Sequence, residues 1–152
     1  MLLLNRENKI NLIIVSFILT LDQVSKYIIT LNYGYFLNKN IFIFSINYVR
    51  NYGAAFNIFE GNRIFLSSIS ILSSLILIYF IFIKERLNPL DRYGLSLILA
   101  GSLGNGIDRI IKGYVVDFIN FNPFDFPIFN IADIAINIGC FILIFNYFKY
   151  KK

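Results

Sequence analysis

The chain is 152 residues long; 57% of it is hydrophobic and only 15% is charged, with a mean hydropathy of +0.67. Soluble domains carry roughly 45–50% apolar and about 25% charged residues, so both departures point to a membrane protein, and the length suits one domain. The net charge of +5 does not indicate nucleic-acid binding, because the basic residues lie at the ends of apolar runs. With no histidine and one cysteine, the chain can form no internal disulfide, no Cys/His metal site and no Ser-His or Cys-His nucleophile.

Four apolar stretches predict four transmembrane helices, at about residues 10–31, 64–83, 93–111 and 131–148. The second is uncharged over twenty residues, which is enough to cross a hydrocarbon core of roughly 30 Å. The first has no small-residue cleavage pattern, so we interpret it as a retained helix rather than a removable signal peptide. Cys140 lies deep in the last stretch, where we expect it to be buried by packing.

The distribution of lysine and arginine predicts the orientation of these helices. The short segments 1–9, 84–92 and 149–152 are dense in basic residues, whereas the longer loops 32–63 and 112–130 hold few. Basic residues are concentrated in cytoplasmic segments. Both termini are therefore expected in the cytoplasm, with the two long loops on the outer face.

All charged residues inside the apolar stretches fall near the outer ends of the predicted helices. Ionisable groups in such positions are costly and usually mark a functional site. They are Asp22, Lys26, Asp108, Arg109 and Asp133. Asp22 and Lys26 are four residues apart and can pair on one helix face, so a purely structural role is at least as good an interpretation for them. Asp133 has no cation within one turn of its own helix, which favours a chemical role.

Polar and small residues accompany these charges at helical spacing. Gly101, Asn105 and Asp108 share one face of the third predicted helix, and Gly101 and Gly104 permit close helix packing. Asn130, Asp133 and Asn137 form a polar stripe on the fourth. Hydrogen bonding between helices remains an alternative explanation for the asparagines.

The two long loops carry signs of structure of their own. Residues 41–50 are β-branched and aromatic and predict a strand, followed by a short amphipathic helix at about 56–61. Pro123 and Pro127 rule out a long helix in the second loop, and Asp125 between them is interpreted as a turn residue. The expected fold is an all-α membrane protein of four transmembrane helices, with a small β-sheet on the outer face of the membrane and a short amphipathic helix.

Two aspartates suggest a reaction. Asp117 lies in an apolar part of the second loop, and a chain that turns back at the prolines can bring it to Asp133. Two carboxyl groups at about 3 Å share one proton, so one can deprotonate water while the other donates a hydrogen bond to a scissile carbonyl. Ser25 and Lys26 are adjacent in a helix and point apart, which excludes a serine–lysine peptidase.

The same acids also suit a proton or cation pathway in a small proton-coupled transporter. Transporters usually show internal repeats and a midplane site, whereas halves 1–76 and 77–152 show no evident repeat and the charges lie at one edge. A purely structural membrane subunit would leave two outer acids unexplained.

Five motifs, in order along nearly the whole chain, resemble the lipoprotein signal peptidase (signal peptidase II) family. The similar family patterns are Asp-x-x-Thr/Ser-Lys, Asn-x-Gly-Ala-Ala-Phe, Gly-x-x-Gly-Asn-x-x-Asp-Arg, Val-x-Asp-Phe and Phe-Asn-x-Ala-Asp. The corresponding segments here are Asp22 to Lys26, Asn51 to Phe56, Gly101 to Arg109, Val115 to Phe118 and Phe129 to Asp133.

The resemblance implies an aspartyl endopeptidase with a defined set of site residues. Asp117 and Asp133 would be the catalytic pair. Substrate-binding positions would be Asn51, Gly53, Asn105, Arg109 and Asn130, and the structural support would come from Asp22, Lys26 and Asp108. A presenilin-type intramembrane protease is rejected, because it is larger and holds its acids deep within helices.

The resemblance also implies the substrate and the setting, with the outer sheet and the short amphipathic helix forming a periplasmic β-sheet cradle over the site. The substrate would be a prolipoprotein whose cysteine carries diacylglycerol, cut just before that cysteine at the outer face of the bacterial inner membrane. The expected partners are this substrate, membrane lipids and the inhibitor globomycin, with no nucleic acid, metal or cofactor. We expect a single integral membrane peptidase domain over residues 1–152, acting as a monomer.

Overall fold

The computed structural model describes residues 5–36, 39–54, 58–84, 87–124 and 126–150. Within them, four long helices alternate with one short helix and the strands of a small sheet. In chain order the elements are α1 (Arg6–Leu31), α2 (Tyr33–Phe36), β1 (Lys39–Ile41), β2 (Phe44–Asn51), α3 (Arg63–Ile78), α4 (Pro89–Ile111), β3 (Val115–Phe121) and α5 (Ile131–Tyr150). A single π-helical turn, Tyr79–Ile83, continues α3.

Asparagine side chains cap the N-termini of three of the long helices. Asn5 accepts a hydrogen bond from the main-chain N–H of Asn8 at the start of α1 (2.7 Å), and Asn62 and Asn88 do the same at the starts of α3 and α4. Such caps satisfy main-chain N–H groups that have no partner within the helix. The predicted stretches 10–31, 64–83, 93–111 and 131–148 all lie within these helices, which extend beyond them by up to four residues.

Within the part of the chain that the structure describes, three helices are long and apolar enough to cross a membrane, namely Arg6–Leu31, Arg63–Ile83 and Ile131–Tyr150. The helix α4 is not among them, so the predicted count of four spans is not confirmed on this criterion. The physical reason lies in its position. It packs against α1, α3 and α5 and buries ten of its 23 residues, among them Arg92, Asn105 and Asp108, so it carries polar residues that contact protein and is less apolar than a helix surrounded by lipid.

The sheet is antiparallel, in the order β1-β2-β3, and lies at the end of the bundle where α1 ends and α5 begins. We call this the sheet end. The strand predicted at residues 41–50 is confirmed in part: residues 44–50 lie in β2, whereas Ile41 ends β1 and residues 42–43 form the turn between the two strands. The strand β3 was not predicted. A β-bulge in β2 lies between Ile46 and Val49, directly before the position where Val49 pairs with Asp117.

The amphipathic helix predicted at about residues 56–61 does not appear in the part that the structure describes. Residues 58–61 form a turn, with Phe59 at φ 58° and Gly61 at φ 78°, and residues 55–57 lie outside the described chain. The positive φ of Gly61 suits a turn and interrupts any helix there. Asp125, predicted to be a turn residue, also lies outside the described residues.

Glycines bring α4 close to its neighbours, as the sequence predicts. A Cβ at Gly104 would lie 2.5 Å from Oδ2 of Asp22, and one at Gly101 would overlap the carbonyl oxygen of Ala132. Residues without a side chain are therefore needed where α4 crosses α1 and α5.

Cys140 is exposed, so the prediction that it is buried is wrong. It lies on a face of α5 that carries other exposed apolar side chains, including Phe141 and Ile144. In a membrane helix the outward face is apolar because it contacts lipid. An apolar residue in such a helix therefore does not by itself indicate packing against protein.

Candidate active site

The chain returns to β3 through Phe129. Its main-chain N–H donates to the carbonyl of Ile119 (3.0 Å), and its carbonyl accepts from the main-chain N–H groups of Phe118 (3.0 Å) and Ile119 (2.8 Å). This pairing places the first residues of α5 beside the strand that carries Asp117. The predicted approach of Asp117 and Asp133 therefore depends on a short extension of the sheet.

Asp117 is a buried carboxyl group held by two amides. Its Oδ2 accepts from Nδ2 of Asn51 (2.9 Å) and its Oδ1 accepts from Nδ2 of Asn130 (2.6 Å). Burial raises the pKa of Asp117 from 3.8 to about 6; the hydrogen bond from Asn51 opposes this shift, and the nearby charge of Asp133 adds to it. Asp117 is therefore a carboxyl group that can hold or release a proton near neutral pH.

Asp133 is held by an amide on each oxygen. Its Oδ1 accepts from Nδ2 of Asn105 (2.8 Å), and its Oδ2 accepts from the main-chain N–H of Asn130 (3.1 Å). The main-chain N–H of Asp133 donates in turn to Oδ1 of Asn130 (3.0 Å). Asn130 and Asp133 thus form a reciprocal cap at the start of α5, which fixes the carboxyl group of Asp133.

One residue links the two aspartates. Asn130 is fully buried, donates its side-chain N–H to Asp117, and donates its main-chain N–H to Asp133. Both carboxyl groups are oriented by the same residue, and both line one cavity.

A buried lysine beneath the pair determines which way Asn105 faces. The ammonium group of Lys26 donates to Oδ1 of Asn105 (2.9 Å) and pairs with Asp22 (2.9 Å) and Asp108 (3.3 Å). An ammonium can only donate, so the amide oxygen of Asn105 must face Lys26 and its NH₂ must face Asp133. The predicted pairing of Asp22 with Lys26 is confirmed, and Lys26 uses its three N–H groups on three partners.

The two buried acids beside Lys26 also tie separate elements together. Oδ1 of Asp22 accepts from the main-chain N–H of Ala132 (2.9 Å), so a residue of α1 caps the first turn of α5. Oδ2 of Asp108 accepts from the main-chain N–H of Val116 (3.2 Å), at the start of β3. Lys112 balances the charge of Asp108 at 2.9 Å.

Arg109 connects α4 to the segment after β2. Its Nη2 donates to the carbonyl of Gly53 (2.9 Å), and the main-chain N–H of Gly53 donates to Oδ1 of Asn51 (2.8 Å). The Nε of Arg109 is buried and has no hydrogen-bond partner within the described residues. Arg109 lines the cavity as well, so its guanidinium group lies beside the two acids.

The cavity has a volume of about 470 Å³ and reaches from the sheet end down between α3, α4 and α5. Its polar wall includes Asn51, Asn105, Arg109 and the two aspartates, and apolar residues such as Ile69, Ile98 and Ile136 form the wall among the helices. A mainly apolar pocket with a few converging polar groups is typical of a ligand site. Among the described residues, no group of three or more His, Cys, Asp or Glu side chains could hold a metal ion.

The structure brings the predicted site residues together. Asn51, Asn105, Arg109, Asp117 and Asp133 line the cavity, as does Asn137 of the predicted polar stripe. Gly53 and Asn130 adjoin it through hydrogen bonds, and the support residues Asp22, Lys26 and Asp108 lie behind it.

Serine residues of the cavity wall were not predicted. Ser70, Ser73 and Ser102 line the cavity, and the hydroxyl groups of Ser73 and Ser102 lie 2.8 Å apart between α3 and α4. The sequence feature that could have predicted them is a pair of serine doublets at residues 67–68 and 73–74, with Ser70 between them, in an otherwise apolar span.

Solved structures define the class of protein to which this fold and site belong. The chain superimposes on a bacterial membrane enzyme solved by the in meso method at 2.3 Å resolution, with a TM-score of 0.88 and 36% identity over 95% of this chain and 90% of that one. A second such enzyme, solved at 1.9 Å resolution, gives a TM-score of 0.83 and 37% identity over 93% and 94%. The fold is that of a multi-pass bacterial membrane enzyme.

Comparison of sequences then gives the family. Residues 14–149 match the model of the family described as "Signal peptidase (SPase) II". Lipoprotein signal peptidases are similar to the chain: that of Gloeothece citriformis is 42% identical over 88% of this chain and 86% of its own length, and that of Staphylococcus aureus strain Newman is 41% identical over 91% and 88%. The lipoprotein signal peptidase of Pasteurella multocida is 39% identical over 85% and 82%. The chain belongs to the signal peptidase II family and is a membrane peptidase of that type.

Proposed function

We propose that this peptidase removes the signal peptide from diacylglyceryl-modified prolipoproteins, cutting just before the lipidated cysteine, with Asp117 and Asp133 as its catalytic pair. Membership of the family supports cleavage of lipoprotein signal peptides. One observation carries the assignment of the pair: Asn130 hydrogen-bonds to both carboxyl groups at the wall of one cavity.

In the proposed reaction the two acids share one proton. The ionised carboxylate removes a proton from a water molecule, whose oxygen attacks the scissile carbonyl carbon, while the protonated acid donates a hydrogen bond to the carbonyl oxygen. The resulting tetrahedral intermediate collapses when a proton moves to the leaving nitrogen and the C–N bond breaks. The pair then holds one proton again, and neither a metal nor a covalent intermediate is required.

The surrounding donors have separate tasks in this proposal. Asn51, Asn105 and Asn130 hold the carboxyl groups in position, and the guanidinium group of Arg109 at the cavity wall donates to the substrate backbone or to the developing oxyanion. Fixed donors directed at developing negative charge are worth several kcal/mol to such a step. Gly53, held by Arg109, lets the substrate backbone approach closely.

We further propose that α4 is a fourth transmembrane span and that the protein forms one membrane domain over residues 1–152. Arg92 at the start of α4 donates to Asn8 at the start of α1 (3.3 Å), and Lys26 near the end of α1 donates to Asn105 near the end of α4 (2.9 Å). The two helices therefore run parallel and side by side, so α4 crosses wherever α1 crosses. We place both termini in the cytoplasm and the sheet end at the outer face of the inner membrane, where the basic residues predict them.

This arrangement suits a substrate anchored by its lipid. The apolar walls of the cavity among the helices accommodate acyl chains or the signal segment, while the acids lie at the sheet end. We propose that the sheet acts as a cradle whose opening admits the lipidated segment, that globomycin occupies the same cavity, and that the protein acts as a monomer.

A cleavage assay on a diacylglyceryl prolipoprotein in detergent or liposomes tests the proposal. Asp117→Asn and Asp133→Asn should each fold and lower kcat by about 10²–10⁴-fold, because each removes one member of an acid–base pair. Asp91→Asn is the matched control: Asp91 lies near the start of α4, where it accepts from Asn146 (2.7 Å), far from the cavity. Full activity of either Asp117→Asn or Asp133→Asn would refute the pair, and activity that globomycin does not inhibit would refute its proposed site.

A further inference from the structure

A second cavity, of about 420 Å³, also reaches Asp117. It shares four wall residues with the first cavity, namely Asn51, Asp117, Pro127 and Ile128. These residues form a common wall, so Asp117 lies at the junction of two spaces.

The two cavities differ in position and in chemistry. The first extends among α3, α4 and α5, with isoleucine walls. The rest of the second consists of Val49 and Arg50 on β2 and Glu60 in the turn before α3, so none of its wall belongs to a long helix. Charged residues of both signs at its rim suit a polar chain in water rather than lipid.

The β-bulge in β2 shapes this second space. The register shifts between Ile46 and Val49, and Val49 then pairs with Asp117. A bulge leaves one residue of the strand unpaired and changes the direction in which the next side chains point. Val49 is 37% exposed although its partner Asp117 is buried, so the bulge leaves an accessible position directly beside the acid.

We propose that this second cavity binds the main chain of the residues that follow the lipidated cysteine, that is, the polar start of the mature lipoprotein. The inference rests on the proposed function. The bond that is cut beside Asp117 connects two substrate halves of opposite chemistry, an apolar signal segment and a polar chain in water. The first cavity suits the apolar half, and the second offers the polar half a path from the same carboxyl group to the aqueous side.

The single cysteine of the chain permits a direct test. Cys140→Ala is the parent, and Val49→Cys is added to it and modified with a charged methanethiosulfonate reagent. Two substrates are compared: a full-length diacylglyceryl prolipoprotein, and a lipopeptide with the same signal segment that ends at the lipidated cysteine. Asn40→Cys, exposed on the edge strand β1, is the matched control for modification of the sheet.

The adduct at Val49→Cys should lower kcat/KM for the full-length substrate by about tenfold or more relative to the same unmodified variant, leave the short substrate within about twofold, and be reversed by reductant. The adduct at Asn40→Cys should affect neither substrate. Equal loss for both substrates would overturn the proposal, because the adduct would then disturb Asp117 or its water rather than the polypeptide path. No loss for either would also overturn it. Failure of the parent to cut either substrate would instead refute the proposed function.

Discussion

At the scale of single residues, the site is organised by amides that have defined orientations. Asn105 receives the ammonium of Lys26 on its oxygen and presents its NH₂ to Asp133, and Asn130 presents N–H groups to both acids. A side-chain amide is neutral and has one donor end and one acceptor end, so it fixes a carboxylate without adding charge. The acids can therefore be held rigidly while their protons remain free to move.

The raised pKa of Asp117 predicts a measurable pH dependence of stability. Burial raises this pKa from 3.8 to about 6, so the folded state binds the proton more tightly than the unfolded chain does. Between about pH 4 and 6 the folded state holds more protons, and a rise in pH across this window removes about 3 kcal/mol of stability. Asp117→Asn has no such proton to lose.

The measurement is the free energy of unfolding in detergent micelles, for wild type and Asp117→Asn, across this pH range. The stability of Asp117→Asn relative to wild type should increase with pH over the window, whatever its starting value. A difference that stays constant with pH would show that Asp117 titrates at its ordinary pKa.

Lys26 and Lys112 provide a matched pair for testing the buried charges. Both contact Asp108, but Lys26 is fully buried with a second acid, Asp22, whereas the Lys112 side chain is 31% exposed. Removing one partner of a buried ion pair costs about 3–5 kcal/mol, while an exposed pair contributes about 0–1 kcal/mol. Lys26→Met should therefore destabilise the protein far more than Lys112→Met in thermal or denaturant unfolding.

Activity separates the two lysines further. Lys26→Met leaves Asn105 without the donor that orients its amide, so cleavage should fall even under conditions where the variant is folded. Lys112→Met should cleave normally. Equal effects of the two substitutions on stability would contradict the burial difference on which this prediction depends.

At the scale of elements, α4 determines how the bundle is assembled. Its glycines allow α5 and α1 to approach, and Arg92 near its start donates to the carbonyl of Ile81 (3.2 Å) and of Lys84 (3.1 Å), which secures the π-helical turn at the end of α3. The same helix delivers Asn105, Asp108 and Arg109 to the sheet end. Small shifts of α4 therefore move several site residues at once.

Gly101→Ala tests this dependence. The new Cβ would overlap the main-chain carbonyl of Ala132 at the start of α5, and a backbone atom cannot rotate away. Overpacking of this kind costs about 1–3 kcal/mol, and displacement of α5 should also lower cleavage through Asp133. The control is Gly34→Ala, because a Cβ at Gly34 meets nothing within 4 Å. Unfolding and cleavage are measured for both variants, and wild-type behaviour of Gly101→Ala would show that α4 and α5 can separate without loss.

At the scale of the whole molecule, the start of α1 and the end of α5 lie at one end of the bundle, where Asn8 and Asn146 each contact the start of α4, and the sheet lies at the other end. In the Cys140→Ala background, Phe124→Cys at the sheet end and Tyr150→Cys at the opposite end introduce thiols at positions that are 72% and 66% exposed. In intact cells a membrane-impermeant maleimide should label only Phe124→Cys, and Tyr150→Cys should react after permeabilisation. Labelling in the reverse order would place the active site on the cytoplasmic side.

Much of the fold was predictable from local patterns. Apolar runs of helical length, the four-residue spacing of Asp22 and Lys26, and the β-branched run at residues 41–50 each depend on neighbours in sequence. The structure confirms the helices and the ion pair, and it confirms the strand over residues 44–50. Predictions from local patterns were wrong where the outcome depended on which helix face is exposed or on the geometry of a loop. Cys140 faces outward on α5, and residues 58–61 turn instead of forming a helix.

The sequence by itself determined the membrane class, the helical stretches, the family motifs and the candidate residues, because composition, periodicity and motif order are properties of the chain alone. The tertiary structure decided how those residues meet. Lys26 reaches Asn105 across 79 positions, Asp22 caps α5 across 110, and Phe129 pairs with β3 so that Asn130 joins the two acids. Such contacts depend on how separate helices and strands pack, which no spacing within one element specifies. The second cavity beside Asp117 is of the same kind, since a bulge, a turn and a loop create it together.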